Sequence, residues 1–155
     1  MIAQLGYTDT SMIAPYRIAE IMGGSPVLGR RLASIAALSD AVSQGLPKAA
    51  LRQTAGRVFE DRAEQRQLMN RIVPEATFKR RRDRLSLAES ERTERIARVM
   101  AGAEFVWGDR SDARRFMITP HPALRGRTPL DAALTELGAR QVEEILDKIF
   151  HGLPA

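Results

Sequence analysis

Residues 104–155 read EFVWGDRSDARRFMITPHPALRGRTPLDAALTELGARQVEEILDKIFHGLPA, and their punctuation is helical throughout. Ser111 stands where an N-cap opens a short helix through Ala113, Phe116 and Met117, because a short side-chain oxygen there satisfies a free amide of the first turn. Thr128 followed by Pro129 repeats the signal, since proline's fixed φ and missing N–H suit the first helical position. A long last helix is expected from about Thr135. Its Val142, Ile145, Leu146 and Ile149 recur at i, i+3, i+4 and i+7 and therefore share one face. Gly152 ends it, with Pro154 just beyond.

Working upstream, Ser86-x-x-Glu89 is a complete capping box. It opens a helix with Ile96, Val99, Met100 and Ala103 on one face and Glu91, Arg92, Glu94, Arg95 and Arg98 on the other, ending near Gly108. This helix is expected to join two halves of the chain without a flexible linker. Before it, Pro47 starts a helix through Leu51 and Val58, and Asp61-x-x-Glu64 starts another through Leu68, Met69 and Ile72. Val73-Pro74 breaks that helix, and Pro74 opens the segment PEATFKRRRDRL. Helix, short turn, strongly basic helix is the outline of a helix-turn-helix. Within the basic helix Phe78 and Leu85 form an apolar anchor, while Thr77, Lys79, Arg80, Arg81, Arg82 and Arg84 supply the hydroxyl and cations that bind phosphates and guanine edges. A solvated arginine face, or one for an acidic protein, is the alternative use of the same residues. Further upstream, Ser25-Pro26 opens a helix whose Leu28, Leu32, Ile35, Leu38 and Val42 share a face, ended by Gly45; a shorter one around Ile18 and Ile21 stops at Gly23-Gly24.

The charge distribution supports this division. Residues 1–45 hold three bases and three acids, residues 46–100 hold 14 and eight, and residues 101–155 hold seven and eight, so the net charge of +5 sits entirely in the middle section. A basic block between near-neutral flanks is the footprint of a nucleic-acid-binding region. With 155 residues, 44% hydrophobic and only 5% aromatic, the chain has an aliphatic core and no alternating β-branched runs, so it is all-α. The expected organisation is an N-terminal helical arm (1–45), a helix-turn-helix region (46–100) and a C-terminal domain (101–155).

The segment FVWGD…PHPALRGRTPLD…TELGARQVEEIL…IFHG resembles the C-terminal toxin-binding domain of the Xre/MbcA/ParS antitoxin family, over about the last third of the chain. PEATFKRRRDRLSLAES is similar to the DNA-binding, Xre/Cro-like half of the same antitoxins, with Pro74 in place of their usual serine at the helix start. The resemblance implies a type II antitoxin. Its partner would be a RES-domain toxin, similar in fold to ADP-ribosyltransferases, that depletes NAD. Three tasks follow: self-association as a homodimer, binding double-stranded operator DNA through the basic helix to autoregulate the operon, and covering the toxin's NAD pocket. For the last, Arg125, Arg127, Arg140, Glu143 and Lys148 stand beside the family's motif positions. The tail of His151, Gly152, Leu153, Pro154 and Ala155 is expected to act as a plug, its carboxylate pairing with phosphate-binding arginine. The alternative function is a stand-alone helix-turn-helix regulator with no toxin partner.

An enzyme is not expected: HExxH, GxSxG and a lysine-bearing phosphate loop are all missing from the sequence. His121, between two prolines, is expected to stabilise its turn, and His151 to bind carbonyls at a helix end. Phe105 and Trp107 are expected in the core or at a subunit interface. No metal site or cofactor is expected. The chain has no cysteine, no apolar run of membrane-spanning length and no signal-peptide pattern, which fits a cytoplasmic protein away from membranes.

Overall fold

One long helix carries the architecture. In the computed structural model, which describes residues 13–155, the helices in chain order are α1 (Pro15–Ile21), α2 (Ser25–Leu28), α3 (Ile35–Ser43), α4 (Lys48–Val58), α5 (Arg62–Ile72), α6 (Glu75–Arg80) and α7 (Leu87–Trp107). After them come α8 (Arg110–Ile118), a 3-10 turn (Pro122–Leu124), α9 (Pro129–Ala132) and α10 (Glu136–Phe150). The chain is all-α. The first twelve residues of the expected arm lie outside the described residues.

Helix α7 begins at the Ser86/Glu89 capping box, in which both reciprocal hydrogen bonds form, at 3.2 and 2.8 Å. It ends at Gly108. It is buried nearly all round: Ile96, Ala97, Val99 and Met100 are fully enclosed, and α1, α3, α4, α5, α8 and α10 all pack on it. Each large side chain buried in this way contributes about 1.5–3 kcal/mol relative to its exposed state. The expected continuous helix between the two halves is therefore their common core. Helix α10 lays Val142, Ile145 and Leu146 on it, crossing where Gly102 leaves only a hydrogen's width for Leu146, 3.1 Å from the position a Cβ would take.

Three expectations need correction. The helix expected from Ser25 to Gly45 is two helices: Gly29 takes a left-handed φ of 75° and Ser34 caps the second, its Oγ accepting from the Ala37 amide at 3.0 Å. Helix α8 is capped by Asp109, which accepts from the Asp112 amide at 2.9 Å, and not by Ser111, which sits in the first turn. The basic helix is half its expected length. It stops at Arg80 because the following residues pair with residues 46–48: the Leu85 amide donates to the Leu46 carbonyl at 2.8 Å and the Lys48 amide to the Asp83 carbonyl at 2.9 Å. Gly45, with φ +88°, makes that approach possible, since a Cβ there would lie 2.6 Å from the Leu85 carbonyl oxygen. Leu85 is buried, as expected of an anchor, but from the segment that follows the helix.

Candidate functional site

Two surfaces carry the candidate residues. The first surrounds α5 and α6, joined by Val73-Pro74. Asp61 caps α5, accepting from the Glu64 amide at 3.0 Å, and Arg92 of α7 donates to the Ile72 carbonyl at 2.8 Å, fixing both ends of the helix. Phe78 plugs α6 into the body, with the Lys48 ammonium 4.4 Å and the Arg52 guanidinium 5.0 Å from its ring centre. Lys79, Arg80 and Arg82 face solvent, and Arg80 donates to the Thr77 hydroxyl at 3.3 Å.

Arg81 and Arg84 also make contacts within the fold. Arg81 leaves the helix and grips Glu89 with both guanidinium nitrogens, at 3.2 and 3.1 Å. Burial pushes the Glu89 carboxyl up, but the hydrogen bonds from Arg81 and the Ser86 amide outweigh it and hold the group below its ordinary range. Arg84 donates to the Gly45 carbonyl at 2.7 Å. Both fasten the loop after α6. Cations that sequence reasoning passed over join Lys79: Lys48, Arg52 and Arg66 line with it a cleft of about 220 Å³ floored by Met69, Val73 and Phe78. The available signal was spacing, since Lys48 and Arg52 are one helical turn apart, as are Arg62 and Arg66.

The second surface lies between the loop after α8 and the start of α10. Here Arg125, Arg127 and Arg140, scattered along the sequence, line one open cleft of about 860 Å³ with Leu137, Gln141 and Glu144. The loop is built by His121, whose Nδ1 accepts from the Ala123 amide at 3.1 Å and whose backbone pairs with Arg127 at 3.0 Å. His121 thus has the turn-stabilising place expected of it. Arg125 occupies the left-handed region, φ 57°; such a conformation in a non-glycine residue costs energy and is found disproportionately at functional sites. Arg127 is steadied by the Gln141 side chain at 3.3 Å, while Arg140 stands 3.9 Å from Glu136.

Glu143 faces away from this cleft. It pairs with Arg98 of α7 at 2.8 Å, in a cluster completed by Glu94 and Glu136, and burial pushes its carboxyl above the ordinary range. Lys148 is exposed in the last turn of α10. That helix closes as expected, with the Gly152 amide bonded to the Ile149 carbonyl at 3.1 Å and the Leu153 amide to that of Lys148 at 2.8 Å, the Schellman arrangement. His151 Nδ1 lies 2.9 Å from the Asp147 carbonyl oxygen. His151, Gly152, Leu153, Pro154 and Ala155 are all exposed. Trp107 is 42% exposed, so it is a surface and not a core residue.

The surfaces are mechanically joined. Arg114 of α8 donates to the carbonyls of Gly56 and Arg57 at 3.1 and 2.9 Å and to Glu60 at 2.6 Å. Arg71 of α5 pairs with Asp131 of α9 at 2.7 Å. Among the described residues no cluster of three acidic or histidine side chains could hold a metal ion, and no helix is long and apolar enough to cross a membrane.

Comparison with known proteins matches two stretches of the chain. Residues 37–98 match the antitoxin Xre-like helix-turn-helix domain, and residues 102–152 the antitoxin Xre/MbcA/ParS C-terminal toxin-binding domain. The chain is 37% identical over 86 residues to an antitoxin Xre of Pseudomonas putida, covering 54% of each chain. It is 35% identical over 85 residues to an antitoxin Xre of Yersinia enterocolitica, covering 52% of this chain and 57% of the relative. The matches thus span about half the length of these curated relatives.

Proposed function

This chain belongs to the Xre/MbcA/ParS antitoxin family, and from that premise we propose that it is the antitoxin of a type II toxin–antitoxin system whose partner is a RES-domain, NAD-degrading toxin. In this reading the C-terminal domain covers the toxin's active site and the helix-turn-helix region binds operator DNA, so that the protein represses its own operon from the cytoplasm as a homodimer. The antitoxin has no catalytic role.

The observation that carries the reading is the construction of α10. One face is anchored on α7 by Val142, Ile145 and Leu146. Its start forms a wall of the three-arginine cleft. Its far end delivers residues 151–155 into solvent from a firmly capped last turn. A braced helix that presents a short protruding segment loses little freedom on binding, and Leu153, 56% exposed, offers apolar contact to a pocket. Arg125, Arg127 and Arg140 suit an acidic rim on the partner. On the other surface, Lys79, Arg80 and Arg82 with Arg52 and Arg66 suit a phosphate backbone. Thr77 is half-buried and bonded to Arg80, so it orients that cation.

Co-expression with a RES-domain toxin from the same source tests the reading through cellular NAD and co-purification. The full chain is expected to restore NAD and to co-purify. A version ending at His151 is expected to restore less. A full chain that neither binds nor restores NAD would leave a DNA-binding regulator without this partner.

A further inference from the structure

At one end of the molecule, two exposed aromatic side chains and the half-buried Phe105 form a cluster that crosses three parts of the chain. The Arg17 guanidinium of α1 lies 5.7 Å from the ring centre of Tyr16 and 5.3 Å from that of Phe105, in the last turn of α7. Phe105 lies 5.4 Å from Phe150 at the end of α10, and Phe150 meets the His151 ring edge-on at 5.2 Å. Tyr16 is 43% exposed and Phe150 50%. Guanidinium–ring and ring–ring contacts hold these groups in place before any partner arrives. Ordered aromatic and arginine side chains are the residue types that dominate interface energies, because they bury much surface at small entropic cost.

Continuity decides what such a platform meets. The cluster runs directly into residues 151–155, and Phe105, Phe150 and His151 lie inside the stretch matched by the toxin-binding domain, whereas Tyr16 and Arg17 lie outside both matched stretches. The apolar groove between α3 and α7, edged by Ile35 and Leu87 at 62% and 52% exposure, is a separate surface. We propose that α1 extends the toxin-binding surface: Tyr16 and Arg17 form, with Phe105 and Phe150, a seat for the toxin beside the segment that enters its pocket. The matching toxin patch is apolar or aromatic and carries a carboxylate opposite Arg17. This inference rests on the toxin-binding reading above.

The test measures the affinity of full-length chain for a catalytically inactivated RES-domain toxin, with self-association followed by light scattering. Tyr16→Ala and Arg17→Ala are each expected to weaken toxin binding by about tenfold with self-association unchanged. Arg17→Glu, on the same exposed site, serves if either variant fails to match the wild-type thermal melt. Unchanged toxin affinity in folded variants would overturn the inference while the antitoxin reading stood. Variants that lose self-association but keep toxin affinity would overturn it in favour of a second copy of this chain. Absence of toxin binding by the wild type would remove the antitoxin reading and this inference together.

Discussion

Replacing Gly138 by alanine separates two opposing effects. Gly138 lies in the first turn of α10, where alanine ordinarily gains up to about 1 kcal/mol over glycine through helix propensity. The structure opposes that gain. A Cβ at this position would overlap the carbonyl oxygen of Ala132, lie 2.7 Å from its carbon, and sit 2.8 Å from the Thr135 hydroxyl that caps the helix. Two of these three obstacles are backbone atoms and cannot rotate away, so α10 must move off α9. Overpacking of this kind costs about 1–3 kcal/mol, and displacing Thr135 from its 3.1 Å bond to the Gly138 amide forfeits a cap worth about 1 kcal/mol. The net expectation is a loss of about 2 kcal/mol, or roughly 4–8 °C in Tm for a chain of this size. Thermal unfolding followed by circular dichroism reads it. Gly56→Ala is the internal control: a Cβ in α4 would meet only Gln65, at 3.8 Å, so this variant is expected to gain about 0.5–1 kcal/mol. A Gly138→Ala protein as stable as the wild type, or more so, would refute the close-approach argument.

Four further expectations follow from the charged and polar groups. Arg80→Ala and Arg82→Ala should each lower the salt dependence of DNA affinity by about one unit of slope without changing stability. Arg81→Ala should instead cost about 1–2 kcal/mol, discounted for its partial exposure, because it strips buried Glu89 of its partner; a denaturation midpoint equal to wild type would contradict that. Arg114→Ala should lower the unfolding free energy, read from urea denaturation, by about 1–3 kcal/mol through loss of its bonds to the end of α4, and an unchanged midpoint would show that those carbonyls find water at no cost. Burial pushes the Glu94 carboxyl above its ordinary value of 4.5, with Arg98 pulling it down and Glu136 and Glu143 adding to the rise. A carboxyl of that kind binds more protons folded than unfolded, so its contribution to stability declines as pH rises from about 4.5 through its folded value. Glu94→Gln should therefore gain stability relative to wild type across that range, and a difference independent of pH would sink the assignment.

What the sequence made legible was what its local chemistry controls. The Ser86/Glu89 box, Thr135 before α10, Gly152 after it and the break at Val73-Pro74 each act within a few residues, and each stands where spacing placed it. The end of α6 at Arg80 was not legible, because it is decided by pairing between residues 46–48 and 83–85, across almost forty positions. The same distance hid the split of one arginine run into outward cations and loop fasteners: Arg82 and Arg84 read alike until Gly45 accepts from one of them. At the C-terminal surface, Arg125, Arg127 and Arg140 came from family resemblance, and their convergence on one cleft required the fold of the loop around His121. Glu143 shared their neighbourhood in sequence yet turns toward Arg98, since the face of α10 it occupies is the one packed on α7.

The sharing of α7 has a consequence for how the protein comes apart. Its buried side chains serve both halves at once, and Arg114–Glu60 and Arg71–Asp131 tie the flanks. Neither half can melt and leave the other an intact interior, so a calorimeter should record a single endotherm whose van't Hoff and calorimetric enthalpies agree. By the same reasoning, chimaeras that graft the DNA-binding half of one relative onto the partner-binding half of another should fold only when the whole of this helix, and the residues lining it from both sides, come from one parent.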